Sequence, residues 1–204
     1  MPLHIRGPRA DPFVRLLGRH AGFDLVREPD TDRITIHRDG LINPFVAPSL
    51  QELVGRMITQ VEAVTITARG DMPGGIVDSF RGVAGAQIAR RSVFLPDLLT
   101  IERLDPQFCA AMIAHFLAEY DHSAVRRAPN QFADAHVAGL RAEAEVIHEL
   151  TGRPVFRGAS RPWERATTLG NGRIRAERRY GPGNVYILLL GPLPTAHIIS
   201  VTRS

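Results

Sequence analysis

Four side chains combine reactive chemistry with telling spacing. His115 and Glu119 lie in the stretch FCAAMIAHFLAEY, Phe108 to Tyr120, which is otherwise almost wholly apolar. On a helix they are one turn apart and share a face. A helix that is apolar all round is a buried one, so this imidazole and carboxylate need a partner, a proton or a metal ion. A second helical stretch downstream carries His136 and Glu143 on the same stripe as Phe132, Leu140, Ile147 and Leu150. Its remaining polar residues Arg141, Glu145 and His148 fall on the solvent side. The spacing therefore predicts that His115, Glu119 and Glu143 converge, with His136 at the edge of the group and His122 extending the first helix's face by a turn. Such a group can be a satisfied polar network that fixes helix register, a zinc site with His115, Glu119, Glu143 and His136 as candidate ligands, or an incidental placement. If the site is catalytic, Glu119 or Glu143 is the base.

Two helices must hold these groups. Asp105-Pro106 is a helix start, a capping residue followed by proline, and the first helix is expected over 106–121. Asn130 caps the second, 131–150, which Thr151-Gly152-Arg153-Pro154 ends. The short link between them requires antiparallel packing. Upstream, residues 1–10 read as a disordered start and Asp11-Pro12 as the opening of a short helix that Gly22 ends. Residues 23–27 and 33–38 read as a β-hairpin. Ser49 and Glu52 suggest a capping box for a helix bearing Leu50, Leu53, Val54, Met57 and Ile58. Residues 61–68 read as a strand, 69–85 as a Gly/Pro-rich loop or a long β-hairpin arm, and 87–101 as an extended segment whose apolar part is SVFLPDLLTI, with Pro96 suggesting an edge strand or a bulge there. Residues 155–171 look irregular, anchored by Trp163. Strands at 173–180, 185–190 and 196–202 form a C-terminal β-meander, 173–202. The expected fold class is α+β: one domain over 1–204, a mixed or antiparallel sheet packed on the buried helix pair 106–150.

Composition limits the function classes. The chain has 204 residues, 44% hydrophobic and 23% charged, enough to build a core. All 25 basic residues are arginine and the net charge is only +4. Interleaved with acids, that charge makes nucleic-acid binding a lesser alternative. Arg173, Arg175 and Arg179 would share one strand face and Arg178 the other, so they form no continuous basic patch. Cys109 stands alone, which excludes a disulfide framework and a cysteine-based zinc site. No apolar run is long enough for a membrane span and no signal peptide is evident, so the expected location is the cytoplasm, or export by a leaderless route. No Gly-rich phosphate loop or G-x-S-x-G elbow occurs, and Ser79 lacks the flanking glycines.

The order of strands, SVFLPDLLTI, the His-bearing helix and a second helix with an inward Glu resembles the zincin metallopeptidases, particularly those of bacterial toxins and effectors. The stretch from VFLPDLL through AHFLAEY to AGLRAEAEVIHELTG also resembles C-terminal domains associated with bacterial contractile injection systems; together the likeness spans roughly 90–153. In zincins the helix carries His-Glu-x-x-His. Here His115 matches the first ligand, Phe116 stands where the general base should be, Glu119 replaces the second His, and Glu143 falls where a third ligand could lie. The resemblance implies a catalytically degenerate zincin-like effector, cargo or protein-binding module, with zinc or no cofactor and a protein partner. The alternative it leaves is a metal-dependent hydrolase with a His/Glu/Glu site.

Overall fold

The computed structural model describes residues 2–39, 46–70, 91–126, 132–157, 162–191 and 198–204. The Gly- and Pro-rich stretch 71–90, the expected cap Asn130 and the breaks at 40–45 lie outside them. The fold is α+β, but the strands of the described residues form three sheets rather than one.

The first sheet is parallel. Strand β1, Leu3–Arg6, pairs with β4, Val64–Arg69, which pairs with β5, Ser92–Phe94. The N-terminus is thus a core strand, not a disordered start. Leu3 and Ile5 alternate inward with no exposed surface, opposite Val64 and Ile66. Pro2 and Pro8 bound this short strand rather than abolish it. The crossover from β1 to β4 contains helix α1, Ala10–Ala21, the antiparallel hairpin β2, Phe23–Arg27, and β3, Ile34–Asp39, and helix α2, Pro48–Thr59.

Two helix starts differ from expectation. Asp11 does not cap α1; its carboxylate accepts from Arg27 Nε of β2 at 2.7 Å. Gly22 does end the helix in the left-handed conformation, at φ 72°. In α2 the capping box does not form. Ser49 instead gives its hydroxyl to Glu149 Oε2 at 2.7 Å, and its backbone N–H to the same carboxylate at 3.1 Å. A carboxylate from a distant helix satisfies the α2 N-terminus, which a local motif cannot reveal.

The segment expected to be extended through Ile101 is strand only over β5. It then becomes helix α3, Leu95–Leu104, with Pro96 in the first turn. Proline suits a helix start as well as a sheet edge, and Leu95, Leu98 and Ile101 are buried at helical spacing. Helix α4, Pro106–Arg126, starts as expected, with Asp105 Oδ1 accepting the Phe108 N–H at 3.0 Å, but continues beyond 121. It is the central helix: Phe108 to His115 are at most 1% exposed. Helix α5, Phe132–Thr151, ends at Gly152, φ 67°. Contacts between Gln107 and Leu150, His115 and Glu143, and Glu119 and His136 descend one helix as they climb the other, so the pair is antiparallel.

The last sheet is a four-stranded meander: β6, Trp163–Thr168; β7, Ile174–Gly181; β8, Asn184–Leu190; β9, Ile198–Arg203. β6 occupies a region expected to be irregular. Trp163 is 38% exposed and anchors nothing in the core; the Arg179 guanidinium lies 5.4 Å from its ring centre. The face of β7 bearing Ile174, Ala176, Arg178 and Tyr180 is buried. Phe108 of α4 stacks on Tyr186 of β8 with centroids 4.7 Å apart, joining helix pair and meander. No helix among the described residues is long and apolar enough to cross a membrane.

Candidate functional site

The central helix brings His115 and Glu119 to the face it shares with α5, and α5 supplies His136 and Glu143. His115 Nδ1 lies 2.9 Å from Glu143 Oε2 and its Nε2 lies 3.0 Å from Glu119 Oε1. His136 Nδ1 reaches the same Glu119 oxygen at 2.8 Å. All four sequence-derived residues therefore meet. His122 instead lines a groove of about 800 Å³ between α2, α4 and α5, together with Arg56, Asp121 and Arg141.

Glu143 converges on His115 as expected, while His136 lies in the inner group rather than at its edge. Glu143 sits behind His115, on the ring nitrogen that faces away from Glu119. One ion cannot be bound at Nε2 and also by a carboxylate hydrogen-bonded to Nδ1, because those nitrogens point to opposite sides of the ring. His136 belongs to the inner group: donor atoms of His115, Glu119 and His136 all lie within 4.8 Å of one another.

The meander completes the site with three residues that the helix pattern could not show. Arg178 of β7 has no exposed surface. Its Nη1 donates to Glu143 Oε2 and to Met112 Sδ at 3.3 Å, and its Nη2 lies 3.1 Å from Glu164 Oε2. Tyr180, next on the same face, donates its hydroxyl to Glu143 Oε1. Glu164 of β6 is Arg178's cross-strand partner in the sheet, and its other oxygen lies 3.1 Å from His136 Nε2. The signal for Arg178 was its parity: it alternates in step with Ile174, Ala176 and Tyr180, the apolar side of the strand.

Charge explains the arrangement. Three carboxylates, Glu119, Glu143 and Glu164, face one guanidinium, leaving two negative charges for the imidazoles to balance. Burial works to lower the His115 pKa, but the close charges of Glu119 and Glu143 and the hydrogen bond to Glu143 outweigh it and raise the value to about 9. Burial likewise opposes ionisation of Glu119 and Glu143. His115 with His136 overcomes it at Glu119, and Arg178 with His115 overcomes it at Glu143, holding both near 2. His136 is raised, against its own burial, by Glu119 and Glu164. With both imidazoles protonated the cluster is a neutral set of ion pairs and hydrogen bonds, which lowers the cost of burying this much charge.

The helix approach at this point depends on Gly139. A Cβ there would lie 2.8 Å from Glu119 Cγ and 3.1 Å from His115 Cε1. Gly139→Ala is expected to destabilise the fold by about 1–3 kcal/mol despite alanine's higher helix propensity, because both site residues must move. Equilibrium urea unfolding measures this; a stabilised variant would show that the helices have room at this level.

Two other residues singled out from the sequence are plainly structural. Phe116 is 6% exposed and stacks near Tyr120, with centroids 6.3 Å apart. Cys109 is fully buried, gives its thiol to Leu98 O at 3.4 Å, and has its pKa driven far up by burial, so it is no nucleophile.

The chain matches no family model, no curated protein and no solved structure.

Proposed function

We propose that this chain is a non-catalytic, zincin-like module of bacterial effector or cargo type that acts by binding another protein. One observation carries the non-catalytic part: each carboxylate of the centre is held by a cationic or imidazole group. Glu143, with no exposed surface, is bound by His115, Arg178 and Tyr180. Glu164 is paired with Arg178 and His136, and Glu119 is hydrogen-bonded to His136 and faces the His115 ring 3.0 Å away. A general base must present a free lone pair to a water or substrate proton. Phe116, at the position that the zincin pattern gives to that base, has none. The family part of the reading rests on the motif likeness at His115 and on the inward Glu143 of the following helix. It is weakened by α3, which stands where the zincin order places an edge strand.

The test is proteolysis of unfolded casein and a quenched peptide library by the pure chain, with zinc and with a chelator. No cleavage above background is expected in either condition. Chelator-sensitive cleavage lost in a Glu119→Gln variant would overturn the proposal in favour of a metal-dependent hydrolase.

A further inference from the structure

We propose that His115 Nε2, Glu119 and His136 Nδ1 form a binding site for one divalent transition-metal ion of zinc type, with Glu143 and Glu164 as the outer groups that orient the two histidines. This goes beyond the non-catalytic reading and stands or falls separately, since an ion can be held without hydrolysis.

Three observations carry it. First, His115 Nε2 is fully buried and has no hydrogen-bond partner. Glu119 Oε1 is only 3.0 Å away, yet the two are not hydrogen-bonded. With Nδ1 taken by Glu143, Nε2 is left for another partner, and ligand atoms of Glu119 and His136 lie within 4.8 Å of it. Second, the outer nitrogen of each histidine is taken by a carboxylate: His115 Nδ1 by Glu143 at 2.9 Å and His136 Nε2 by Glu164 at 3.1 Å. That is the arrangement by which metal-binding imidazoles are fixed in tautomer and orientation. Here both outer carboxylates are themselves tied to one buried guanidinium, Arg178. Third, the charge matches: with neutral imidazoles the three carboxylates exceed Arg178 by two negative charges, which a divalent ion supplies.

The donors select the ion. Two imidazoles and one carboxylate suit zinc and its neighbours and not magnesium or calcium, which prefer oxygen alone. Ligands about 2.0–2.1 Å from a tetrahedral ion lie about 3.3 Å apart. The 2.8 and 3.0 Å separations at Glu119 need to open by only a few tenths of an ångström.

The experiment is titration of the chelator-treated full chain with Co2+, read by visible d–d absorption, and with Zn2+, read by calorimetry and melting temperature. One ion per chain is expected, with a tetrahedral cobalt spectrum, a raised melting temperature and no displacement by excess Mg2+. His136→Ala should abolish the cobalt spectrum. Glu164→Gln should weaken zinc binding about 10–100-fold, the usual effect of losing an outer partner. His148→Ala, outside the cluster, should leave both unchanged. Absence of saturable uptake by the wild type would overturn the proposal, as would uptake undiminished by His136→Ala. Should His136→Ala fail to fold by circular dichroism, Glu164→Gln decides, and an unchanged affinity there overturns the assignment. Casein cleavage bears only on the non-catalytic reading, and metal uptake only on this one.

Discussion

Replacing Arg178 with Met is expected to cost about 3–5 kcal/mol, the range for removing one partner of a buried ion pair. Methionine keeps most of the side-chain length, so packing against α4 changes little. The loss is electrostatic: Glu143, fully buried, and Glu164 both lose their guanidinium. Urea unfolding measures it, and for a chain of this size the melting temperature should fall by about 10 °C. Arg173→Met is the matched control, since Arg173 is exposed just before β7, and should lie within about 0.5 kcal/mol of wild type. Equal effects for the two arginines would mean that Arg178 does not neutralise the cluster.

The metal-free chain should be most stable at mildly acidic pH and lose stability in both directions. His115 faces Glu119 on its own helix, Glu143 and His136 on α5, and through them Arg178, Tyr180 and Glu164 of the meander. Its pKa is raised to about 9 in the fold. The stability it contributes is complete below the unfolded value near 6.5 and is lost as pH rises through 9. Glu119 and Glu143 are depressed to about 2, so theirs is complete above about 4.5 and lost as pH falls toward 2. His20 acts in the acid limb as well. Burial, with Arg19 beside it, lowers its pKa to about 4, so folding opposes its protonation and stability falls below 6.5. Each limb amounts to a few kcal/mol in order of magnitude. Denaturant midpoints measured in chelator between pH 3 and 10 would show the profile. A flat alkaline side between about 6.5 and 9 would mean that His115 is neutral in the fold.

The helical half of the site was legible and the sheet half was not, for a physical reason. In a wholly apolar helix a single His or Glu stands out, and helical spacing fixes which of them share a face. His115, Glu119, His136 and Glu143 could be paired from that alone. Which of them lies on the Nε2 side of His115 and which on the Nδ1 side depends on imidazole orientation, and spacing does not carry that; hence His136 stands in the inner group rather than at its edge. A strand has two faces, and alternation tells which residues go together but not which side is buried. Arg178 was separated from Arg173, Arg175 and Arg179 on that basis, yet its burial follows only from the apolar company of Ile174, Ala176 and Tyr180. Glu164 lay in a stretch with no apolar alternation, WERATT, whose strand is made by pairing with β7. The N-terminal strand and α3 were misread for the same kind of reason: prolines near Leu3, Ile5 and Leu95 bound elements as readily as they break them.

Helix pair and meander are joined through one coupled charge network. A double-mutant cycle between Glu143→Gln and Arg178→Met, measured by urea unfolding, tests it most directly. The two residues lie on different elements and meet only in the folded core. A coupling energy of about 2–3 kcal/mol is expected, with the double variant more stable than the sum of the single losses implies, because removing both charges leaves less uncompensated charge than removing the arginine alone. Losses that add to within about 0.5 kcal/mol would contradict the account.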